Sequence, residues 1–310
     1  MIRLRTNSGQ ATVVTILFLT VLVAMLAAVL DVGAWFRADR KLQGTVDAAA
    51  LAGAQALPDS PGLAIGDALS YANKNGGGVT GGNVTISSTY IPNDTIKVSG
   101  TKSAPGVFSK LFSVDSVDVH GGAKARSGTL GAARYVAPIV VNYKHSKLAC
   151  TPPPCSGQPT ELEYEHLKNG QTPSNGAGSF GFINLEAGAG NGVGTSTLGD
   201  WIENGYQDEM PLGTYNTSTG NPFSSSHVKD GLTARIGTEI LFPVYKTLTG
   251  SGSGAKYEII GWVGFHLTSI DMKGNEEKLF GWFTRVIWQG LPSTNPNQQG
   301  FGAYAIELIE

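Results

Sequence analysis

Residues 11–30 read ATVVTILFLTVLVAMLAAVL, and this stretch decides the architecture of the chain. Its only polar side chains are those of Thr12, Thr15 and Thr20. At a rise of about 1.5 Å per residue, a helix of this length spans about 30 Å, which is the thickness of the hydrocarbon core of a bilayer. Residues 11–30 are therefore predicted to form a transmembrane helix.

The charges that flank this run predict its orientation. Arg3 and Arg5 precede it, and no acidic residue occurs before Asp31. Because basic segments stay on the cytoplasmic side, residues 1–10 are predicted to be cytoplasmic and the bulk of the chain extracytoplasmic. A cleaved signal peptide is the competing interpretation, but the run is longer than an ordinary signal-peptide core and no clear cleavage site follows it. The prediction is a single-pass membrane protein with a cytoplasmic N-terminus.

The composition of the 310 residues suits an extracytoplasmic chain of roughly two domains. Charged residues make up 15%, and 42 residues are glycine, which favours an extracytoplasmic β-rich protein over a cytosolic helical one. The net charge of −2 does not favour binding to nucleic acid, which requires a basic surface. Cys150 and Cys155 flank four residues and can close a small disulfide loop in an oxidising compartment; two free thiols are the alternative.

A helical apolar pattern continues beyond the membrane run. Trp35, Leu42, Ala49 and Ala56 recur every seven residues, and Gly53 lies between the last two. Most of these residues are small, which lets another backbone approach closely. The stripe therefore either packs against a partner in an assembly or packs against the chain's own core.

The first interpretation defines a candidate assembly helix. Its residues are Asp31, Trp35, Leu42, Ala49, Gly53 and Ala56. Asp31 lies where the apolar run ends, so it is expected to pair with a basic group on a neighbour or to rest among lipid headgroups. The stripe predicts that Gly53→Leu blocks assembly and leaves the chain folded, whereas the core interpretation predicts loss of the protein.

Several short motifs accompany this helix in a fixed order. They are GQA at 9–11, the apolar run, DVGAW at 31–35, LQ at 42–43 and DAAALAGA at 47–54. In this order they resemble the TadE/TadG-like proteins, which are pseudopilin-like components of the tight-adherence (Flp-type) pilus machinery of bacteria. The resemblance covers about residues 9–57 and implies an envelope protein that builds or anchors a pilus or a related secretion apparatus. One departure concerns processing: if Gly9 were a prepilin cleavage site, Val14 would stand where prepilins carry Glu.

Alternating and turn-forming residues predict an α+β chain. Residues 31–126 are predicted to form a pseudopilin-like α+β stalk module that begins with the protruding helix. The small residues at 127–134 are predicted to be a linker. Residues 135–310 are predicted to form an extracytoplasmic β-rich domain with a mainly antiparallel sheet and a few helices.

Two local predictions within the stalk module depend on helix signals. A second helix is predicted to begin at Ser60-Pro61, because proline suits the first helical position, and to stop at the glycines 76–78. Residues 105–112 are predicted to form a short helix with apolar side chains at i,i+4 spacing.

No pattern in the sequence predicts catalysis or a metal site. The five histidines lack the spacing of metal motifs, and neither a nucleophile elbow nor a phosphate loop occurs. The densest acidic cluster is Glu161, Glu163 and Glu165 with His166, which either faces solvent on one side of a strand or binds Ca²⁺. The solvated face is the preferred interpretation. The chain is therefore predicted to be no enzyme and to hold no cofactor.

These observations together predict a membrane-anchored structural component of Tad/Flp-type pilus assembly or of a related secretion apparatus. Its expected partners are the lipid bilayer, proteins of that machinery and further copies of the chain, but not nucleic acid. The alternative is a membrane-tethered adhesin or surface ligand-binding protein that uses residues 135–310.

Overall fold

The computed structural model describes residues 8–164, 179–186, 192–218, 222–250, 254–272 and 277–309. Arg3, Arg5, Glu165 and His166 lie outside the described residues. The chain divides into two compact units. The first comprises Met1–Ser87, Thr95–Arg126 and Leu308–Glu310, and the second comprises Ser88–Asp94 and Ser127–Glu307. Helices and mostly antiparallel strands, with a β-rich C-terminal part, confirm the predicted α+β class.

The first unit is built on one long helix. The elements are α1 (Ser8–Ala54), α2 (Pro61–Lys74), β1 (Val84–Ser87), β2 (Thr95–Pro105) and β3 (Ser116–Ala133), of which the last continues into the second unit. Helix α1 runs without a break through the apolar run and the predicted protruding helix. Helix α2 begins at Pro61 as predicted. Gly76, Gly77 and Gly78 all have positive φ, a conformation that glycine adopts without strain and that ends the helix.

An antiparallel meander completes the first unit. Strand β1 pairs with β2 with Val84 opposite Val98, and β2 pairs with β3 from Thr95–Arg126 to Pro105–Ser116. The core combines small residues of α2 with branched residues of β2: Ala64, Ala68, Ala72, Ile96 and Val98. Because the α2 residues are alanines, the two helices lie close together.

The structure corrects two predictions, a helix at residues 105–112 and a linker at residues 127–134. Residues 105–112 form no α-helix: β2 extends to Pro105, and a single 3₁₀ turn covers Ser109–Phe112. That turn stops because Ser113 adopts a left-handed conformation with φ of 63°. Residues 127–134 are no linker, because β3 runs through Ala133 and pairs there with two short strands at Met210–Pro211 and Gly290–Pro292.

The second unit contains most of the strands. Besides the end of β3 they are β4 (Ile139–Asn142), β5 (Thr160–Tyr164), β6 (Ser179–Phe182), β7 (Met210–Pro211), β8 (Gly213–Asn216), β9 (Glu239–Thr249), β10 (Lys256–Asp271), β11 (Lys278–Thr284), β12 (Val286–Ile287), β13 (Gly290–Pro292) and β14 (Ala303–Leu308). Strand β11 pairs with both β5 and β10, so the order β11-β5-β6-β4-β9-β10 closes on itself. The closure makes a six-stranded barrel, which removes exposed strand edges.

Aromatic side chains fill the core of the second unit. Phe180, Phe182 and Phe223 surround Tyr164 with ring centroids 5.0–5.6 Å away. Two short helices, α3 (Thr195–Asn204) and α4 (Ser226–Ala234), pack against each other where a Cβ on Gly199 would lie 2.5 Å from a carbonyl oxygen of α4. The unit therefore has its own core.

Candidate membrane anchor and assembly site

The N-terminal half of α1 presents its apolar side chains to the outside. Every large apolar side chain of residues 13–30 is exposed. Within the described residues, α1 is the one helix long and apolar enough to cross a membrane; its most apolar window has a mean hydropathy of 3.0, and none of that window is buried. The core helix of a soluble protein would bury such a surface, so this half of α1 is suited to lipid or to a partner helix.

Asp31 marks the point where α1 meets the folded part of the first unit. Its side chain is only 3% exposed. The carboxylate accepts backbone N–H groups from Val107 at 3.0 Å, Phe108 at 2.9 Å and Ser109 at 2.6 Å. Such bonds to an ionised carboxylate are among the stronger hydrogen bonds in proteins. The Asp31 carboxylate therefore binds donors of its own chain, a contact that the sequence did not predict, and its position among lipid headgroups stays a prediction.

Asp31 thereby fixes residues 106–114 (GVFSKLFSV), here called the apolar loop, beside α1. Between them lies an apolar cleft of about 120 Å³. Its lining comes from both sides: Ala27, Ala28, Asp31, Val32, Trp35, Phe108, Ser109 and Phe112. Trp35, one of the predicted site residues, is half-buried in this cleft. The last turn of the predicted membrane helix thus contacts the folded unit directly.

Beyond Trp35, α1 is tied to both the sheet and α2. Leu42 is buried, and a Cβ on Gly100 would lie 3.1 Å from its side chain, so a glycine there lets the helix approach the sheet. Gln43 donates from Nε2 to the Gly122 carbonyl at 2.8 Å and to Asp47 Oδ1 at 2.7 Å. The motif residues Leu42 and Gln43 therefore join helix to sheet by packing and by hydrogen bonds.

The small residues at the end of the stripe lie in the chain's own core. Ala49 and Ala56 are buried. A Cβ added to Gly53 would lie 2.5 Å from Ile96 Cδ1 of β2 and 2.7 Å from the carbonyl oxygen of Ala64 in α2. Leu42, Ala49, Gly53 and Ala56 therefore lie in the core of the first unit, which is the position that the core interpretation predicts for them.

Two features of the second unit bear on compartment and chemistry. Cys150 and Cys155 are joined by a disulfide. Glu161 and Glu163 are exposed on β5, where Glu161 pairs with Lys278 at 2.8 Å, so these two carboxylates face solvent. In the described part of the chain, no three His, Cys, Asp or Glu side chains are grouped so that they could hold a metal ion.

Sequence reasoning located the anchor but missed the apolar loop. The Asp31 carboxylate and the loop amides are more than seventy positions apart along the chain, and backbone donors leave no residue-type signature. The apolar character of residues 107–112 is a signal for this segment, but its i,i+4 spacing predicts a short helix.

One comparison with known proteins identifies part of the chain. The model of a family described as putative Flp pilus-assembly TadE/G-like matches residues 9–56. This confirms the resemblance over a segment that coincides with α1 and the turn after it. No curated protein and no solved structure matches the chain.

Proposed function

We propose that the chain is a membrane-anchored structural component of a Tad/Flp-type pilus-assembly apparatus or of a related secretion apparatus. The observation that carries this proposal is the division of α1 into two environments. Its N-terminal half is apolar and exposed, and its C-terminal half is built into an α+β core. The family match covers both halves of the same helix.

The contact between the anchor and the folded unit favours retention of the apolar run over its removal as a signal peptide. Ala27 and Ala28 share the cleft with Phe108 and Phe112. Cleavage near the end of the run would remove one wall of that cleft and with it the apolar contacts that the two aromatic side chains make there. A permanent anchor keeps the contact.

The proposed topology places the N-terminus in the cytoplasm and the two units outside it. It is supported by Arg3 and Arg5 ahead of an acid-free apolar run. It is also supported by the disulfide between Cys150 and Cys155, because disulfides persist in oxidising compartments. In a bacterium this location is the outer face of the cytoplasmic membrane.

The role that we propose is structural and not catalytic. The exposed face of residues 13–30 can pack against membrane helices of the apparatus or of further copies, since small residues such as Ala24 permit close helix contact. The barrel unit lies outside the segment matched by the family, so an adhesin or ligand-binding role for residues 135–310 is the alternative.

Site-specific photocrosslinking in cells tests the proposal. A photoreactive residue at Leu17 or Leu22, both exposed on the apolar run, is compared with one at Leu63, which is exposed on α2. We expect the membrane positions to capture platform or pilin-like proteins of the apparatus, and deletion of the gene to abolish piliation. Normal pili in the deletion strain, combined with loss of adhesion to a glycan or host surface, would favour the alternative.

A further inference from the structure

The apolar loop has a surface that is unusual for a segment in water. The side chains of Val107, Leu111 and Phe112 are 70%, 82% and 72% exposed. They lie within six positions of the chain, and soluble proteins rarely leave such a group of large apolar side chains uncovered. We propose that the apolar loop is a second membrane contact, which enters the outer face of the bilayer beside α1.

The position of the loop along α1 sets its depth. Asp31, the residue that ends the apolar run, holds the loop by three amide hydrogen bonds. Phe112 shares a cleft with Ala27 and Ala28, which lie one helical turn before Asp31. If residues 11–30 span the bilayer, as the proposed function requires, Phe112 lies at the level of the last turn in lipid.

Most backbone N–H groups of the loop donate hydrogen bonds within the chain, as a medium with little water requires. The amides of Val107, Phe108 and Ser109 donate to Asp31. Four more amides donate to carbonyl oxygens of the loop or its base: Gly106 to Asp115, Leu111 to Phe108, Ser113 to Lys110 and Val114 to Ser109. Non-helical backbone can approach the lipid only if its donors are satisfied internally, and here the chain supplies acceptors for seven of the nine amides of residues 106–114.

The charge of the loop fits a lipid surface. Lys110 is exposed among the apolar residues, and its long side chain can extend towards the phosphates of lipid headgroups while Leu111 and Phe112 face the acyl chains. The three hydrogen bonds to Asp31 hold the loop at the end of the apolar run, and all of them are made within one chain. The apolar surface of the loop is therefore continuous with the surface of α1 that faces lipid. We therefore assign lipid, and not a second copy of the chain, as its occupant.

Depth-dependent quenching tests this assignment with the full-length protein. Single cysteines at Leu111, Phe112, Val21 and Leu63 are labelled with an environment-sensitive fluorophore, while Cys150 and Cys155 stay oxidised. Each variant is reconstituted in vesicles of phosphatidylcholine and phosphatidylglycerol. The lipids carry a nitroxide either near the headgroup or near the end of the acyl chain, and iodide serves as the aqueous quencher.

The expected pattern separates the loop from the anchor. Labels at Leu111 and Phe112 should be quenched mainly by the shallow nitroxide, the label at Val21 mainly by the deep one, and the label at Leu63 only by iodide. Iodide quenching at Leu111 and Phe112 as strong as at Leu63, with Val21 still quenched by lipid, would overturn the loop proposal and leave the anchor intact. Shielding of both loop labels from lipid and iodide alike would assign the loop to protein contacts and also overturn it.

Loss of lipid quenching at Val21 would instead refute the membrane anchoring on which the loop proposal rests. All labelled side chains are exposed, so the labels do not disturb the core. Circular dichroism of each variant checks that the helices remain. A label at Val107, on the other end of the loop, provides an independent repeat.

Discussion

Gly53 is the residue where α1 touches both α2 and β2 without a side chain of its own. Because a Cβ there would lie 2.5 Å from Ile96 Cδ1 and 2.7 Å from the carbonyl oxygen of Ala64, any larger residue must push the helices apart. We expect Gly53→Leu to lower the free energy of unfolding by about 1–3 kcal/mol or more, as overpacked cores do. Urea denaturation in detergent and the protein level in cells measure this loss.

Gly44 provides a matched control on the same helix. It is exposed, and a Cβ there would have nothing within 4 Å in the structure. Gly44→Leu is therefore expected to keep the fold and to stabilise α1 by up to about 1 kcal/mol, because leucine favours a helix more than glycine does. Equal free energies of unfolding for the two variants would contradict the close packing of Gly53 against α2.

Asp31 is expected to act by positioning the apolar loop. Asp31→Ala leaves the amides of Val107, Phe108 and Ser109 without their acceptor, so their hydrogen exchange should become faster. Asp31→Asn keeps one carbonyl acceptor and loses the charge, so an intermediate rate is expected. Asp39→Ala makes an equal change of charge on the same helix and should leave the exchange rates of these three amides unchanged. Equal exchange rates in all variants would contradict the hydrogen bonds to Asp31.

Among the secondary-structure elements, helix α1 has two halves with different surroundings: one half is suited to lipid, and the other packs in the core of the first unit. Its apolar half has no buried large side chain, whereas its other half packs alanines and glycine against α2. Leucine and valine side chains gain most from lipid, and small ones permit close backbone contact, so the change in side-chain size along α1 follows the change in environment.

The disulfide loop is a second element with a measurable contribution. Cys150 and Cys155 close a short loop, and the chain-entropy argument assigns such a loop about 2 kcal/mol. Replacing both cysteines by serine should lower the stability of the second unit by that amount, measured by denaturant unfolding without reductant. Mass spectrometry of unreduced peptides provides the check: thiols that alkylate freely would show that the loop is open in the native protein.

At the scale of the whole molecule, the prediction concerns topology. The reporter is alkaline phosphatase joined to green fluorescent protein and is fused at the C-terminus, where it interrupts no strand. We expect phosphatase activity and no fluorescence, since the basic N-terminus stays in the cytoplasm. Fluorescence without phosphatase activity would reverse the proposed orientation.

A charge in the apolar run should reduce insertion. Val21→Arg is expected to disfavour insertion by about 2.5–3.5 kcal/mol on translocon scales, which lowers the fraction of protein in the membrane pellet. Leu63→Arg, at an exposed site on α2, is the matched control and should leave that fraction unchanged.

Several features of the molecule follow from local pattern and can be predicted from the amino-acid order alone. The length and apolarity of residues 11–30 indicated the anchor, Pro61 and the glycines 76–78 bounded α2, and alternation indicated the strands. The spacing of Cys150 and Cys155 allowed the disulfide. These features depend on neighbours a few residues away, whose side chains carry the signal.

The neighbour that each surface meets depends on the folded chain and cannot be predicted from local pattern. The stripe through Ala49 and Gly53 has the same pattern whether it faces a partner or α2, because close packing of small residues requires the same composition in both cases. The partners of Asp31 are backbone amides more than seventy positions away, and closure of the barrel depends on β11 pairing with β5 and β10. Backbone pairing of this kind is set by the path of the chain in space, and side-chain identity carries little record of it.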